Sequence, residues 1–242
     1  MIRTTVLAAL SATALAAAAL AAAVATPAAA QSAPASSARD AWSFEVGAGT
    51  DNRSKGASKS GNDGYAFGSA TWESADGLFY ISPAAETIQA GGSNVEAEVA
   101  FGYQPEAFGY QFDFNVAYKN RLDANPGYDE DTFEFGANIS RSIGPASARL
   151  QVQYSPDSAG ATDAFTWVEG RLGWAFTPRL DGTVALGRRE QDNSPDYTAW
   201  NAGVTYALTD ALALDVRYYD TDAAEFGEQY EDGLVAEIAY AF

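Results

Sequence analysis

The 242-residue chain has no cysteine, no histidine and a single methionine. Without Cys or His there is no disulfide, no zinc-finger ligand set, no Cys nucleophile and no His-dependent triad. Positive charge is scarce as well: 14 Lys and Arg stand against 32 Asp and Glu, a formal net charge of −18. That balance argues against a nucleic-acid partner, because phosphate binding needs a positive footprint. It argues equally against an anionic membrane surface gripped by a polybasic patch. After Ala41 no apolar run approaches the roughly 20 residues that a membrane helix requires. The low hydrophobicity of a disordered chain is missing too, since 47% of the residues are hydrophobic, so the chain is read as folded.

The N-terminus is an address. Arg3 precedes the run VLAALSATALAAAALAAAVATPAAA, with Ala28 and Ala30 in the positions of a small-residue cleavage site. Residues 1–30 are therefore expected to be a cleaved signal peptide. Residues 31–41, QSAPASSARDA, read as a flexible leader, and residues 42–242 as the folded domain.

That domain alternates with period two, the mark of half-buried strands. Phe108, Tyr110, Phe112, Phe114, Val116 and Tyr118 share one face, while Gln111, Asp113, Asn115 and Lys119 share the other. Phe133, Phe135, Ala137 and Ile139 likewise oppose Glu134, Gly136, Asn138 and Ser140. Twelve such runs are expected, about 42–50, 64–74, 77–86, 93–104, 108–119, 131–141, 146–155, 163–176, 179–189, 196–208, 211–220 and 233–242. Their connections alternate between tight turns and longer loops near 51–63, 87–92, 120–130, 156–162, 190–195 and 221–232. The fold class is all-β: a transmembrane antiparallel up-and-down barrel of about 12 strands, with short periplasmic turns and longer external loops.

Period alone leaves open which face looks outward, and three features decide it. Charges fall in mid-strand on the polar face, which a watered lumen accepts. The candidate pore-lining residues are Glu45, Glu96, Glu98, Asp113, Lys119, Glu134, Arg149, Glu169, Arg171, Asp181, Arg189, Asp215, Arg217 and Glu237. Aromatics cluster near strand ends, at Trp42, Trp72, Tyr80, Tyr103, Tyr118, Tyr154, Trp174, Phe176, Tyr206, Tyr218 and Tyr240, as in a headgroup girdle. The last strand, GLVAEIAYAF, ends on Phe242 with no polar tail.

The segments SFEVGAGTDNRSKGASKSG, GLFYISPAAETI, VEAEVAFGYQP, YSPD (154–157), DYTAWNAGV (196–204) and YYDTD (218–222) resemble the TorF-type porin family of proteobacterial outer-membrane proteins. The resemblance spans about residues 42–242. The chain departs from the family in its first segment, where Asn52 precedes Arg53 and Ala57-Ser58 follow Gly56, so it reads as a diverged member. The resemblance implies a porin-like barrel and carries no catalytic residues to transfer.

Nine inward acids against five inward bases point to a mild cation preference. The expected function is passive diffusion of small hydrophilic solutes or ions across the outer membrane of a Gram-negative bacterium. One alternative is a structural or adhesive barrel with a packed acidic interior, and another is a soluble periplasmic barrel holding an apolar ligand. Expected partners are outer-membrane lipid and lipopolysaccharide, the barrel-assembly machinery through the closing strand, and the solutes themselves. No cofactor or enzymatic activity is expected. Asp123, Asp129, Glu130 and Asp131 are a weak candidate for calcium, because D-x-N-x-G at 123–127 does not complete an EF-hand ladder. GASKSG (56–61) lacks P-loop spacing and reads as a flexible external loop. Arg53, Lys55 and Lys59 make it a basic cluster that could meet lipopolysaccharide phosphates or an anionic solute.

Overall fold

The computed structural model describes residues 42–242; the expected signal peptide and leader lie outside them. Twelve long strands are present. Alternating residues place them at β1 (Trp42–Gly49), β4 (Tyr65–Glu73), β5 (Phe79–Ala90), β6 (Ser93–Tyr103), β8 (Tyr110–Leu122) and β9 (Asp131–Ile143). The second half holds β10 (Ala146–Ser158), β11 (Asp163–Thr177), β12 (Leu180–Gln191), β13 (Tyr197–Ala207), β14 (Leu212–Thr221) and β15 (Gly233–Ala241). Three two-residue strands are minor: β2 (Arg53–Ser54), β3 (Ala57–Ser58) and β7 (Glu106–Ala107).

Each long strand pairs antiparallel with its neighbour in sequence, and β15 pairs with β1 to close the ring. The seam is tight at its periplasmic end, where Phe44 and Phe242 exchange both backbone hydrogen bonds at 2.9 Å. Closure leaves no open edge, which is what lets a sheet stand in hydrocarbon. Among the described residues no helix is long and apolar enough to cross a membrane.

The apolar faces turn outward. Phe44, Val46, Phe101, Phe135, Val152, Leu172, Val184, Leu186 and Ile238 are all exposed on that surface. Rings stack along it, including Trp42 with Phe44, Phe79 with Phe101, Phe112 with Phe114, and Tyr240 with Phe242. A soluble protein of this size would bury these side chains; in lipid they are matched to their solvent. The fold is a transmembrane antiparallel up-and-down β-barrel.

Two boundaries differ from expectation for local reasons. Phe108 does not begin a strand face. Phe108 and Gly109 both have positive φ (57° and 77°), so they form a two-residue turn between β7 and β8, with Glu106 paired to Gln111. Phe108 stands 94% exposed at its tip. The loop expected at 87–92 also shrinks, because β5 runs on to Ala90 and turns at Gly91-Gly92.

Candidate functional site

The segment between β1 and β4 is not an external loop. Its centre is a β-hairpin, β2 against β3, with Arg53 opposite Ser58 and Ser54 opposite Ala57. The turn residues Lys55 and Gly56 both have positive φ (54° and 86°), the geometry of a two-residue turn matched to strand twist. Asp51 organises the base. It accepts hydrogen bonds from Ser58 Oγ at 2.5 Å and Ser60 Oγ at 3.0 Å and pairs with Arg53.

The hairpin folds into the barrel and crosses it. Lys55 Nζ lies 3.2 Å from Glu134 on β9 and 4.9 Å from the ring centroid of Phe165 on β11. In the ring of twelve, β11 stands six places from β4 and so faces it across the bore. Gly56 sits so close to Ala199 on β13 that a Cβ there would overlap it; only glycine fits a position that combines this contact with a left-handed backbone. Lys59 binds Glu96 at 2.7 Å and also pairs with Glu86. The basic cluster assigned to lipopolysaccharide is therefore spent inside, on lumen carboxylates.

The barrel wall and a second loop hold the hairpin at the external mouth. Phe165, Trp167, Tyr197, Ala199 and Ala223 form a buried cluster with Ala57 and Tyr230 packed against it. Tyr230 meets Tyr197 edge-on at 5.1 Å. Arg53 Nη1 donates to the Glu231 carbonyl at 2.6 Å, and Asn62 Nδ2 to the Glu228 carbonyl at 3.0 Å. Thus the 222–232 loop caps the hairpin from above.

Around Lys55 the charges are crowded. Glu134 also binds Lys119 at 3.5 Å, Lys119 binds Glu98 at 3.1 Å, and Arg189 lies 4.2 Å over the same Phe165 ring. Burial pushes the Lys55 ammonium down to about 8; Glu134 opposes the shift, and the neighbouring Lys119 and Arg189 reinforce it.

Farther round, Arg149 and Arg171 stand opposite each other in the β10–β11 register and share Glu169, at 3.0 and 3.2 Å. Arg217 binds Asp215 at 2.9 Å, Thr183 Oγ1 at 2.8 Å and Asn201 Oδ1 at 2.9 Å. Of the residues assigned inward from the sequence, Glu96, Glu98, Lys119, Glu134, Arg149, Glu169, Arg171, Asp215 and Arg217 take part in ion pairs, and Arg121, Glu86, Lys55 and Lys59 join them. Among the described residues Glu45, Asp113, Asp181 and Glu237 have no cation within 4.0 Å. Beneath the hairpin is a cavity of about 420 Å³, lined in part by Glu45, Tyr65, Phe67, Glu86, Lys59 and Glu237.

The interface aromatics divide. Trp42, Tyr103, Tyr154, Trp174, Phe176, Tyr206, Tyr240 and Phe242 are exposed on the outer surface. Trp72 pairs with Trp42 in register, and Tyr118 and Tyr218 reach Asp131 and Asp232 at the external rim. Tyr80 is a correction. It faces inward, its hydroxyl 3.3 Å from Asp113, because Gly102 opposite it leaves room for the ring. The inward rings Tyr65, Phe67, Phe165, Trp167 and Tyr197 went unassigned, although each shares strand parity with polar neighbours. Among the described residues, Asp123, Asp129, Glu130 and Asp131 included, no group of three or more acids converges to hold a metal.

A family model described as "Bacterial protein of unknown function (Gcw_chp)" matches residues 32–238. The chain belongs to the Gcw_chp family. No curated protein matches it. Among solved structures it is similar to "KdgM porin", at 9% identity over 83% of this chain and 99% of that one, with a TM-score of 0.57. A structure described as "NanC porin structure in rhombohedral crystal form" gives 9% identity, 82% and 98% coverage and a TM-score of 0.57. At such identities the likeness is one of fold: a Gcw_chp member has the barrel architecture of these porins.

Proposed function

We propose that this Gcw_chp protein is a passive pore of the Gram-negative outer membrane, admitting small hydrophilic solutes and ions with a mild cation preference. The observation that carries the reading is the polar inner wall with Glu45, Asp113, Asp181 and Glu237 left without cationic partners. Such a wall focuses a negative potential along the bore. The hairpin moderates the preference: its lysines neutralise Glu86, Glu96 and Glu134, so the surplus lies below the constriction and not at it. The TorF-type resemblance is in line with this reading. So is the closing strand with Tyr240 and Phe242, which suits capture by the barrel-assembly machinery, with outer-membrane lipid and lipopolysaccharide as surroundings.

A second reading has its own support. The hairpin and the Phe165–Trp167–Tyr197 cluster fill much of the external mouth, as in a barrel whose work is structural or adhesive. Planar-bilayer recording under a salt gradient separates the two. The pore reading expects current with a reversal potential of the cation-selective sign, weakened at 1 M salt where the Debye length is about 3 Å. Folded protein that passes no current would establish the closed barrel instead, and anion selectivity would overturn the charge argument.

A further inference from the structure

The cavity under the hairpin has an aromatic shelf. On β1 the wall between Glu45 and the Glu237 side has no side chains at Gly47 and Gly49. Phe67 and Tyr65 on β4 pair with those two glycines and lean over them; a Cβ at either position would run into ring carbons. The rings thus lie across the wall instead of standing out from it, which turns a face of each toward the cavity. They are stacked, with centroids 5.8 Å apart and 23° between planes.

Carboxylates flank the shelf at both ends. Glu45 lines the cavity beside Ser69, and Glu237 accepts a hydrogen bond from the Tyr65 hydroxyl. The cations that line the same cavity are already engaged: Lys59 by Glu86 and Glu96, Lys119 by Glu98 and Glu134, Arg53 by Asp51 and the Glu231 carbonyl. An incoming anion meets no unpaired cation there. An incoming cation meets two carboxylates without a cationic partner and two ring faces, each attractive to positive charge.

We propose that this cavity is a binding site for small organic cations, an ammonium or quaternary ammonium group carried on a compact apolar body. The charged head sits between Glu45 and Glu237, over the faces of Tyr65 and Phe67, and the body lies against the shelf. The inference rests on the pore reading only for how such a solute arrives.

Calorimetry on the folded chain in detergent micelles, with benzyltrimethylammonium as the probe and benzoate and benzyl alcohol as controls, tests it. The cation should bind saturably, and both controls at least about tenfold more weakly, the equivalent of 1.4 kcal/mol. Glu237→Gln and Glu45→Gln should each weaken the cation by a similar factor, and Phe67→Leu likewise. Tyr65→Phe keeps the ring and should retain binding. Strand circular dichroism establishes that each variant is folded. Benzoate binding as well as the cation, or both Glu variants binding like the parent, would overturn the site. In bilayers the same cation should reduce potassium current through the parent and not through Glu237→Gln. Silent bilayers with selective calorimetry would defeat the pore reading and leave the site standing; current without any calorimetric preference would do the reverse.

Discussion

Glu134→Gln should loosen the hairpin and leave the barrel intact. Among the described residues Glu134 is the one carboxylate that pairs with Lys55, at 3.2 Å, and their side chains are 9% and 8% exposed. At an effective dielectric constant near 20, a charge pair at that distance is worth about 5 kcal/mol of gross attraction. Removing one partner of a buried pair costs about 3–5 kcal/mol, because the other charge is left stranded. Lys119 keeps Glu98 at 3.1 Å, so the loss falls on Lys55. What else holds the tip is smaller: the Phe165 ring 4.9 Å from Lys55 Nζ, worth about 1–2 kcal/mol, Arg53 Nη1 on the Gly56 carbonyl at 3.3 Å, Gly56 against Ala199, and the Ala57 methyl on the aromatic cluster, of the order of 1 kcal/mol for one buried carbon. The tip should therefore leave its seat and carry Lys55 toward water, while Lys59 and Arg53 still anchor the base. Conductance should rise, and trypsin added outside should cut after Lys55. Lys55→Met is the contrasting variant. It leaves Glu134 on Lys119 and no charge stranded, so the hairpin stays seated and conductance stays near the parent's. The reasoning is refuted if Glu134→Gln matches the parent in both assays, or if Lys55→Met is the variant that leaks.

Raising pH should tighten the seat. Lys55 has a pKa of about 8 when seated against an ordinary 10.5, so between those values the seated hairpin binds fewer protons than a released one, and its stability rises with pH. Conductance should fall between pH 8 and 10 and show no such trend in Lys55→Met; a rise in the parent would contradict the sign. On the lipid face, Phe112→Lys and Val152→Lys should each destabilise the barrel by about 2–4 kcal/mol in vesicle unfolding, whereas Ala100→Lys, on the inner face, should be better tolerated. Equal losses at all three sites would reverse the orientation. Glu169→Gln leaves Arg149 and Arg171 facing each other without their shared anion, so it should shift the reversal potential toward anions, and an unchanged potential would remove this wall from the selectivity argument. Phe108→Asn replaces a ring strained at φ 57° by a residue at ease there, beside Gly109. It should stabilise by about 1 kcal/mol; a loss of stability would give the exposed ring a packing role that its burial denies.

Strand number, parity and the outward face were legible because a period of two repeats locally, and every tight turn is marked by Gly, Pro or Asp near the break. Parity was equally available for Phe165 and Trp167, which alternate in step with Glu169 and Arg171, and for Tyr65 and Phe67, in step with Ser69 and Thr71. Residue type alone leaves those rings unassigned, and the same cue places Tyr80 in the girdle. Glycine carried the missing signal. Gly47, Gly49, Gly102 and Gly187 each stand where an inward ring needs the opposite wall bare, so an inward-parity glycine beside an inward-parity aromatic marks a ring lying across the lumen.

The hairpin's direction is a harder case, since Lys55 and Glu134 are separated by 79 residues and nothing local distinguishes DNRSKGASKSGND from a solvated loop. The charge balance nevertheless constrained it. Glu96 and Glu98 on β6 and Glu134 on β9 flank β8 near the external end, and Lys119 on β8 alone, among the inward residues assigned from the sequence, stood beside them. Carboxylates that close in a confined, partly dry interior need a counter-charge. The nearest unassigned cations were Arg121, which sequence reading left in a loop, and the lysines of the first loop. Pairing the surplus acids of the wall with the surplus bases of the loop turns the hairpin inward without any coordinate, and it also explains why so acidic a protein keeps Lys55 and Lys59 at the tip and rear of one short hairpin.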